Sequence, residues 1–294
     1  VADGSGLDFW QWWERAVAEA IAHHVAVYEL EYLATGLGLS RLELKLRHRQ
    51  PAAEVTQLLA ALWQRRITER VPVQYLLGWC GWRDLHLRVT PDVLIPRPET
   101  ELIVDWVAGL IDPYAPGLWV DLGTGTGAIA LGLARACTNL EIHAVDISAA
   151  ALAVAQENIS AHGLQHRITL HRGNWFAPLE PWRGRIAGMV ANPPYIPTAV
   201  VPTLAPEVHQ HEPHLALDGG IDGLAAIRHL IAAGQTMLRP GGHWLVEHMA
   251  GQADTVRILL AEAGYGAIRS YRDWAGIERF TGAQTSADPQ RSVR

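Results

Sequence analysis

The stretch Asp121-Leu-Gly-Thr-Gly-Thr-Gly127 constrains the fold of this 294-residue chain more than any other. It follows the strand-like run Leu118–Leu122 and leads into the helical run Ala128–Cys137. Gly123, Gly125 and Gly127 let the backbone turn sharply and approach a ligand where a Cβ would collide. Strand, glycine turn, helix and a second strand, Glu141–Ile147 with Asp146 near its end, arrive in the order of a nucleotide-type α/β unit. The spacing differs from the dinucleotide turn, G-x-G-x-x-G, which receives a pyrophosphate at the helix start. Asp121 would repel a pyrophosphate and suits a cationic amino-acid moiety, while Asp146 can accept hydrogen bonds from both hydroxyls of a ribose. A nucleoside cofactor without a diphosphate, touching Asp121, Gly123, Thr124, Gly125, Thr126, Gly127 and Asp146, fits this pattern best. The plainer alternative is a tight turn followed by a solvated acid.

The rest of the chain falls into segments around this unit. From Val93 onward strands and helices alternate, which predicts a parallel sheet covered by helices on both faces. Strands are expected at Leu118–Leu122, Glu141–Ile147, Arg167–His171, Ile186–Ala191, His243–His248 and Ala267–Tyr271, with a terminal one near Arg279–Gly282. Pro98 is placed to open a helix with Glu99 and Glu101 in its first turn. Before this region the pattern is helical. Leu7–Leu33 carries apolar residues at helical spacing, Ser40 and Glu43 form a capping box, and a third helix is expected over Pro51–Arg70. Residues 1–73 are therefore expected to form a small helical domain, 74–92 a β-hairpin connector, 93–284 the α/β domain, and 285–294 a disordered polar tail.

Composition narrows the function classes. A net charge of −6 argues against a protein that binds mainly by neutralising phosphates. Cys80 and Cys137 lack paired spacing, so neither a disulfide framework nor a thiolate metal site is indicated. No basic-then-apolar leader and no bilayer-length apolar run is visible, so a cytoplasmic protein without a membrane partner is expected. The chain opens on Val1 rather than Met, so its natural start is expected to be trimmed or tagged. His209-Gln-His211-Glu-Pro-His214 matches no standard zinc spacing, and no metal is expected. Arg41, Lys45, Arg47, Arg49, Arg65, Arg66 and Arg70 make the N-terminal region locally basic, read first as a solvated helix face and second as a docking surface.

Asn192-Pro193-Pro194-Tyr195 carries the chemistry. It ends the fourth expected strand, at the carboxyl edge where open α/β sheets bind ligands. Its two prolines stiffen the backbone and fix carbonyl directions. An amide nitrogen shares its lone pair with its carbonyl, and a rotation barrier of about 18–20 kcal/mol measures that delocalisation. Two acceptors aimed at the N–H bonds, the Asn192 side-chain oxygen and the Pro193 carbonyl, would localise the pair for attack on a methyl group. Each bond that tightens as the nitrogen becomes positive contributes roughly 1.5–3 kcal/mol. Tyr195 is expected to cover the acceptor by stacking. Trp175, after Gly173-Asn174, is expected to stack on the cofactor base, with a core or lid role as the alternative.

Asn-Pro-Pro-Tyr after a Gly-x-Gly-x-Gly turn resembles the amino-methyltransferases of the class I Rossmann-like fold, which include adenine-N6 DNA methyltransferases and protein glutamine-N5 methyltransferases. Three stretches choose between them: Val93-Leu-Ile-Pro-Arg-Pro-Glu-Thr-Glu101, Gln74-Tyr-Leu-Leu-Gly78, and Glu212-Pro213 with Asp218-Gly-Gly-Ile-Asp-Gly223. With them, nearly the whole chain resembles the peptide chain release factor glutamine methyltransferase family. The resemblance implies an α/β fold with a seven-stranded, mostly parallel sheet whose last strand is antiparallel, beside a small helical N-terminal domain. It also implies S-adenosylmethionine as donor and S-adenosylhomocysteine as product. The implied acceptor is the Gly-Gly-Gln loop of class I release factors. Gly123 to Gly127, Asp146, Trp175 and Asn192 would contact the cofactor, and Asn192 to Tyr195 the glutamine amide. A monomer without a direct nucleic-acid substrate is expected. Trp82 stands where the family often has Phe, and Val246-Glu-His-Met249 replaces the commoner Glu-Ile-Gly. A nucleic-acid N-methyltransferase and a non-catalytic cofactor-binding protein are the rival readings.

Overall fold

A computed structural model describes residues 8–47 and 50–287. They fall into two compact units, one running up to Gly78 and including Pro206–His211, the other comprising Trp79–Ala205 and the chain from Glu212 onward.

The first unit is helical, with α1 (Phe9–Ala22), α2 (Val27–Gly36), α3 (Arg41–Leu46), α4 (Ala53–Thr68) and α5 (Val73–Leu77). The apolar periodicity expected to run unbroken from Leu7 to Leu33 is divided at His23–His24, where His24 takes a positive φ of 54°. Periodicity alone missed the break because both helices bury their apolar faces in one core, built from Phe9, Trp12, Leu30, Leu33, Leu59 and Trp63. Asp8 caps α1 through the Trp10 N–H, and Ser40 with Glu43 completes the capping box of α3. The stretch from Gln74, expected to form a hairpin connector, begins within α5, which ends on Gly78 in the left-handed region. The basic surface expected on this unit is largely consumed by internal ion pairs. Arg66 is only 1% exposed and clamps Glu29 with two bonds, at 2.5 and 3.0 Å. Arg66 and Arg70 both reach Glu207, each at 3.0 Å, and Arg47 pairs with Glu14. Arg49 lies outside the described residues.

The second unit begins with a hairpin of β1 (Trp79–Trp82) and β2 (Leu85–Arg88), followed by α6 (Glu101–Leu110). The helix expected to open at Pro98 starts at Glu101, after a turn over Pro98–Thr100. Then come β3 (Gly117–Leu122), α7 (Ala128–Ala136), β4 (Leu140–Asp146), α8 (Ala149–Ala161), β5 (Ile168–Arg172) and β6 (Ile186–Ala191). The following loop holds α9 (Pro206–His209), part of the first unit, and α10 (His214–Leu217). The chain continues through α11 (Ala225–Met237), β7 (Leu238–Glu247), α12 (Ala253–Glu262), β8 (Gly266–Arg272) and β9 (Glu278–Gln284).

The seven strands order as β5-β4-β3-β6-β7-β9-β8, parallel except for β9, which runs antiparallel to both neighbours. β6 is buried along its whole length, as a central strand covered on both faces must be. Gly188 on β6 sits opposite Trp119 on β3, and a Cβ there would lie 2.4 Å from the indole. The order reverses between β3 and β6, so the crevice beyond their carboxyl ends is the natural ligand site. At the far end, Thr285, expected to begin a disordered tail, is still tied to the β7 hairpin turn: its N–H donates to the Gly242 carbonyl at 3.0 Å, and its hydroxyl to that of Arg239. Residues 288–294 of that tail lie outside the described residues.

Candidate active site

One side of the crevice is the turn from β3 to α7. Gly123, Gly125 and Gly127 all have positive φ, at 79°, 53° and 81°. The N–H groups of Gly123 and Thr124 both donate to the Val145 carbonyl, tying the turn to β4. Asp146, the last residue of β4, accepts from the Gly125 N–H on one oxygen and from the Ser148 N–H on the other, each at 2.9 Å. Each oxygen keeps a lone pair for a ligand. Burial raises the Asp146 carboxyl above its ordinary range, against the pull of these N–H groups.

The cavity surface is contributed by Gly123, Thr124, Gly125, Thr126, Asp146, Gly173, Asn174, Trp175, Asn192 and Pro194, joined by Asp92–Leu94, Pro96, Arg97 and Thr100 from the stretch before α6. Asp121 and Gly127, expected to touch ligand, are buried behind that surface, while Pro193 and half-buried Tyr195, expected there too, flank its lining residue Pro194 without lining the cavity themselves. Asp121 is fully buried beneath the turn. It accepts from the Thr124 hydroxyl at 2.6 Å and the Ala130 N–H at 3.2 Å through one oxygen, while the other has no partner among the described residues. Burial first, and then the Asp146 charge, push its pKa up to about 7. Trp175 reaches the cavity in a left-handed conformation, φ 50°, and a Cβ on Gly123 would come within 3.4 Å of its ring.

The opposite side is the segment after β6. Asn192 Nδ2 donates to the Thr100 hydroxyl oxygen at 3.2 Å, leaving Oδ1 as the uncommitted end of the amide. The Tyr195 phenol donates to Glu247 Oε1 at 3.0 Å; burial, with the Glu247 charge, holds its pKa well above 10. The backbone behind Tyr195 is braced by the Asp218–Gly223 stretch. Ile196 exchanges bonds with Leu217 and Gly219, Gln252 donates to the Tyr195 carbonyl, and a Cβ on Gly223 would lie 2.3 Å from that carbonyl oxygen. Thr100 and Glu247 are not among the site residues that the motifs mark in the sequence. The available signal was an acid interrupting an apolar run at a strand's carboxyl end, in Trp244-Leu-Val-Glu247.

These residues suit a nucleoside carrying a positive charge. The cleft presents Asp92 and Asp146, and its one Lys or Arg, Arg97, is tied to buried Glu212 at 2.6 Å. A diphosphate would find no free counter-charge there. Gly125 is open to the cleft, with no protein atom within 4 Å of an added Cβ. Among the described residues no group of three or more His, Cys, Asp or Glu could hold a metal, and no helix is long and apolar enough to cross a membrane. His211 belongs to the first unit, its Nε2 against the Glu69 carbonyl at 2.7 Å.

A seven-stranded sheet with one reversed strand and a donor cleft of this kind define an S-adenosylmethionine-dependent methyltransferase of Rossmann-like fold. Residues 107–264 match the methyltransferase small domain family. A methyltransferase from Pyrococcus furiosus shares the fold, at TM-score 0.50 and 13% identity, over 80% of this chain and 100% of that one. The release factor glutamine methyltransferase of Synechocystis sp. is 50% identical over 291 residues, covering 96% of this chain and 97% of its own. That of Gloeobacter violaceus is 50% identical over 273 residues, covering 92% and 94%. The chain belongs to the release factor glutamine methyltransferase family.

Proposed function

We propose that this chain transfers a methyl group from S-adenosylmethionine to the side-chain nitrogen (N5) of the glutamine in the Gly-Gly-Gln motif of class I release factors. The observation that carries this reading is the tie from Asn192 Nδ2 to Thr100, which leaves Oδ1 as an acceptor on a cleft whose other side is the glycine turn and Asp146. In this reading Asp146 holds the ribose hydroxyls, Gly123 to Gly127 receive the amino-acid portion, and Trp175 covers the base. S-adenosylmethionine supplies an electrophilic methyl group on a sulfonium. Asn192 Oδ1 and the Pro193 carbonyl accept the two amide N–H bonds and so localise the nitrogen lone pair. Both bonds strengthen as that nitrogen gains charge, which places their contribution in the transition state. Alignment of the acceptor with the methyl carbon supplies the rest. Tyr195 acts from beside this surface by fixing the segment. The surplus proton of the methylated amide passes to water, so no general base is required.

Residues 1–73 would dock the release factor, with 74–92 connecting them to the methyltransferase domain. The net charge of −6 favours a protein partner over nucleic acid, and the reading places a monomeric enzyme in the cytoplasm. Incubation with isotopically labelled S-adenosylmethionine and a class I release factor, followed by mass spectrometry of the Gly-Gly-Gln peptide, tests it. One labelled methyl on the glutamine is expected. Label on another residue, or on DNA alone, refutes it.

A further inference from the structure

Glu247 closes β7 and is only 2% exposed. A carboxylate in such a place is costly unless its lone pairs are met. Here they are met by two hydroxyls. Thr100 donates to Oε2 at 2.7 Å and Tyr195 to Oε1 at 3.0 Å. Thr100 stands at the N-cap of α6, where a threonine hydroxyl ordinarily accepts from an N–H of the first turn. It makes no such capping bond. Its oxygen instead receives Asn192 Nδ2.

A hydroxyl has one proton, and a carboxylate can only accept. The Thr100 proton is therefore committed to Glu247, and its lone pairs are left for Asn192. That decides which way the Asn192 amide lies, nitrogen toward Thr100 and Oδ1 away. With the Thr100 proton pointing at Asn192 instead, the amide would gain a bond by turning over. It would then present NH2 where the reaction needs an acceptor.

We propose that Glu247 is a positioning residue for methyl transfer: through the Thr100 hydroxyl it sets the orientation of the Asn192 amide, and through the Tyr195 phenol it fixes the segment's far end. This rests on the acceptor role given to Asn192 above. Only the ionised form serves, because a protonated Glu247 would donate from one oxygen and force Thr100 or Tyr195 to turn its own proton away. Burial pushes the Glu247 pKa up to about 7, opposed by the bonds from Thr100 and Tyr195 and by the Arg279 charge, while Glu99 adds to the rise. Thr100 and Glu99 come from the turn before α6, Tyr195 from the loop after β6 and Arg279 from β9; Arg279 is itself tied to Asp273, and Arg97 acts on the Tyr195 phenol. The kcat of the native enzyme is therefore expected to climb as pH rises through about 7 and then level off.

Glu247→Gln keeps the shape but puts an NH2 group in place of one carboxylate oxygen, so that either Thr100 or Tyr195 loses its acceptor and must turn its proton away. We expect kcat to fall about 30- to 100-fold, less than the roughly 10²- to 10³-fold of losing a polar contact in the transition state outright, and the pH limb to disappear. Cofactor affinity by calorimetry should stay within about threefold, since Glu247 lies behind the cavity surface. Thr100→Val should reproduce the loss, Thr100→Ser should recover most of it, and the double variant should be no worse than the poorer single one, because both cut one relay. A readout independent of turnover is the side-chain NH2 signal of Asn192 in a 15N spectrum, assigned by its absence in Asn192→Ala. It should shift with pH in the native protein and stand still in Glu247→Gln and Thr100→Val. If the native chain methylates glutamine while that signal ignores both pH and the substitutions, or if Glu247→Gln retains native kcat, the relay is refuted. If the signal behaves as expected and no glutamine is methylated, the relay stands and the proposed substrate falls.

Discussion

The two sides of the cleft are built in unlike ways. The glycine-turn side is backbone geometry: three left-handed glycines, two N–H groups on one carbonyl, and Asp146 stapling the turn to its neighbouring strand. Its parts lie at consecutive strand ends, so a short motif nearly specifies its shape. The Asn192 side is side-chain geometry. The amide is aligned by Thr100, 92 residues before it in sequence, which is in turn aligned by Glu247, 147 residues after Thr100. A motif can name Asn192 but cannot say what holds it. A site of the first kind should respond to substitution mainly in binding, and one of the second kind mainly in turnover.

The largest effect expected is that of Asn192→Ala. Removing an acceptor that tightens in the transition state should lower kcat about 10²- to 10³-fold, while S-adenosylmethionine still binds. Single-turnover transfer of labelled methyl, set beside cofactor titration by calorimetry, separates the two quantities. Equal losses in both would erase the distinction between the two sides.

The contrast also marks how far the sequence could be read. The strand positions and the glycine turn with Asp146 follow from patterns that local geometry enforces, whereas the reversed last strand is implied only by the family resemblance. Helix ends were less visible. The break at His23–His24 leaves the apolar repeat intact on both sides, and Thr100 gives no sign that its hydroxyl abandons the helix cap for Glu247. Asp121 shows the limit most clearly. Its position in the motif suggested a ligand contact, yet burial depends on what packs over it, and the structure puts it wholly beneath the turn. The buried Arg66 is a similar case. Its charge on an outwardly basic helix suggested solvent, whereas Glu29 and Glu207 draw it inside.

Asp121 and Glu247 are the buried acids of the two sides, and they differ in how well they are paired. Both oxygens of Glu247 accept a hydroxyl, but Asp121 Oδ1 has no partner among the described residues. The folded pKa of Asp121 is raised from 3.8 to about 7, so the native state holds its proton more tightly than the unfolded chain. Its stabilising contribution is present below about pH 4 and is lost as pH rises toward about 7, amounting to a few kcal/mol at most. Asp121→Asn should thus match the native protein in urea unfolding near pH 4 and exceed it progressively up to pH 7, with no further gain above. A difference that stays flat with pH would show that the folded state does not raise the Asp121 pKa, and that its buried charge is met by groups other than Thr124 and Ala130.

Asp146→Ala should act through binding. Loss of a carboxylate that holds two ribose hydroxyls costs about 1–3 kcal/mol, or roughly 5- to 150-fold in cofactor Kd. At saturating cofactor, kcat should change little, because the hydrogen bonds of Asp146 tie it to Gly125 and Ser148, on the glycine-turn side. A large fall in kcat at saturation, measured by initial rates, would mean that the turn and the acceptor side move together.

The smallest effect expected belongs to Trp175, which offers the cleft a ring on a strained backbone. A non-glycine residue at φ 50° pays for that conformation, and asparagine tolerates it better than tryptophan does. Trp175→Asn should therefore lose the aromatic face, about 0.5–1.5 kcal/mol of cofactor affinity, while part of any packing loss is returned as relieved strain. Trp175→Phe keeps a flat ring and the strain, so its cofactor Kd should lie between the two. Calorimetry gives the affinities, and thermal unfolding without cofactor gives the strain. If Phe binds no better than Asn, the indole edge rather than its face makes the contact. The turn would then owe its cofactor selectivity to Gly123, which lets that edge approach within 3.4 Å of where a Cβ would stand.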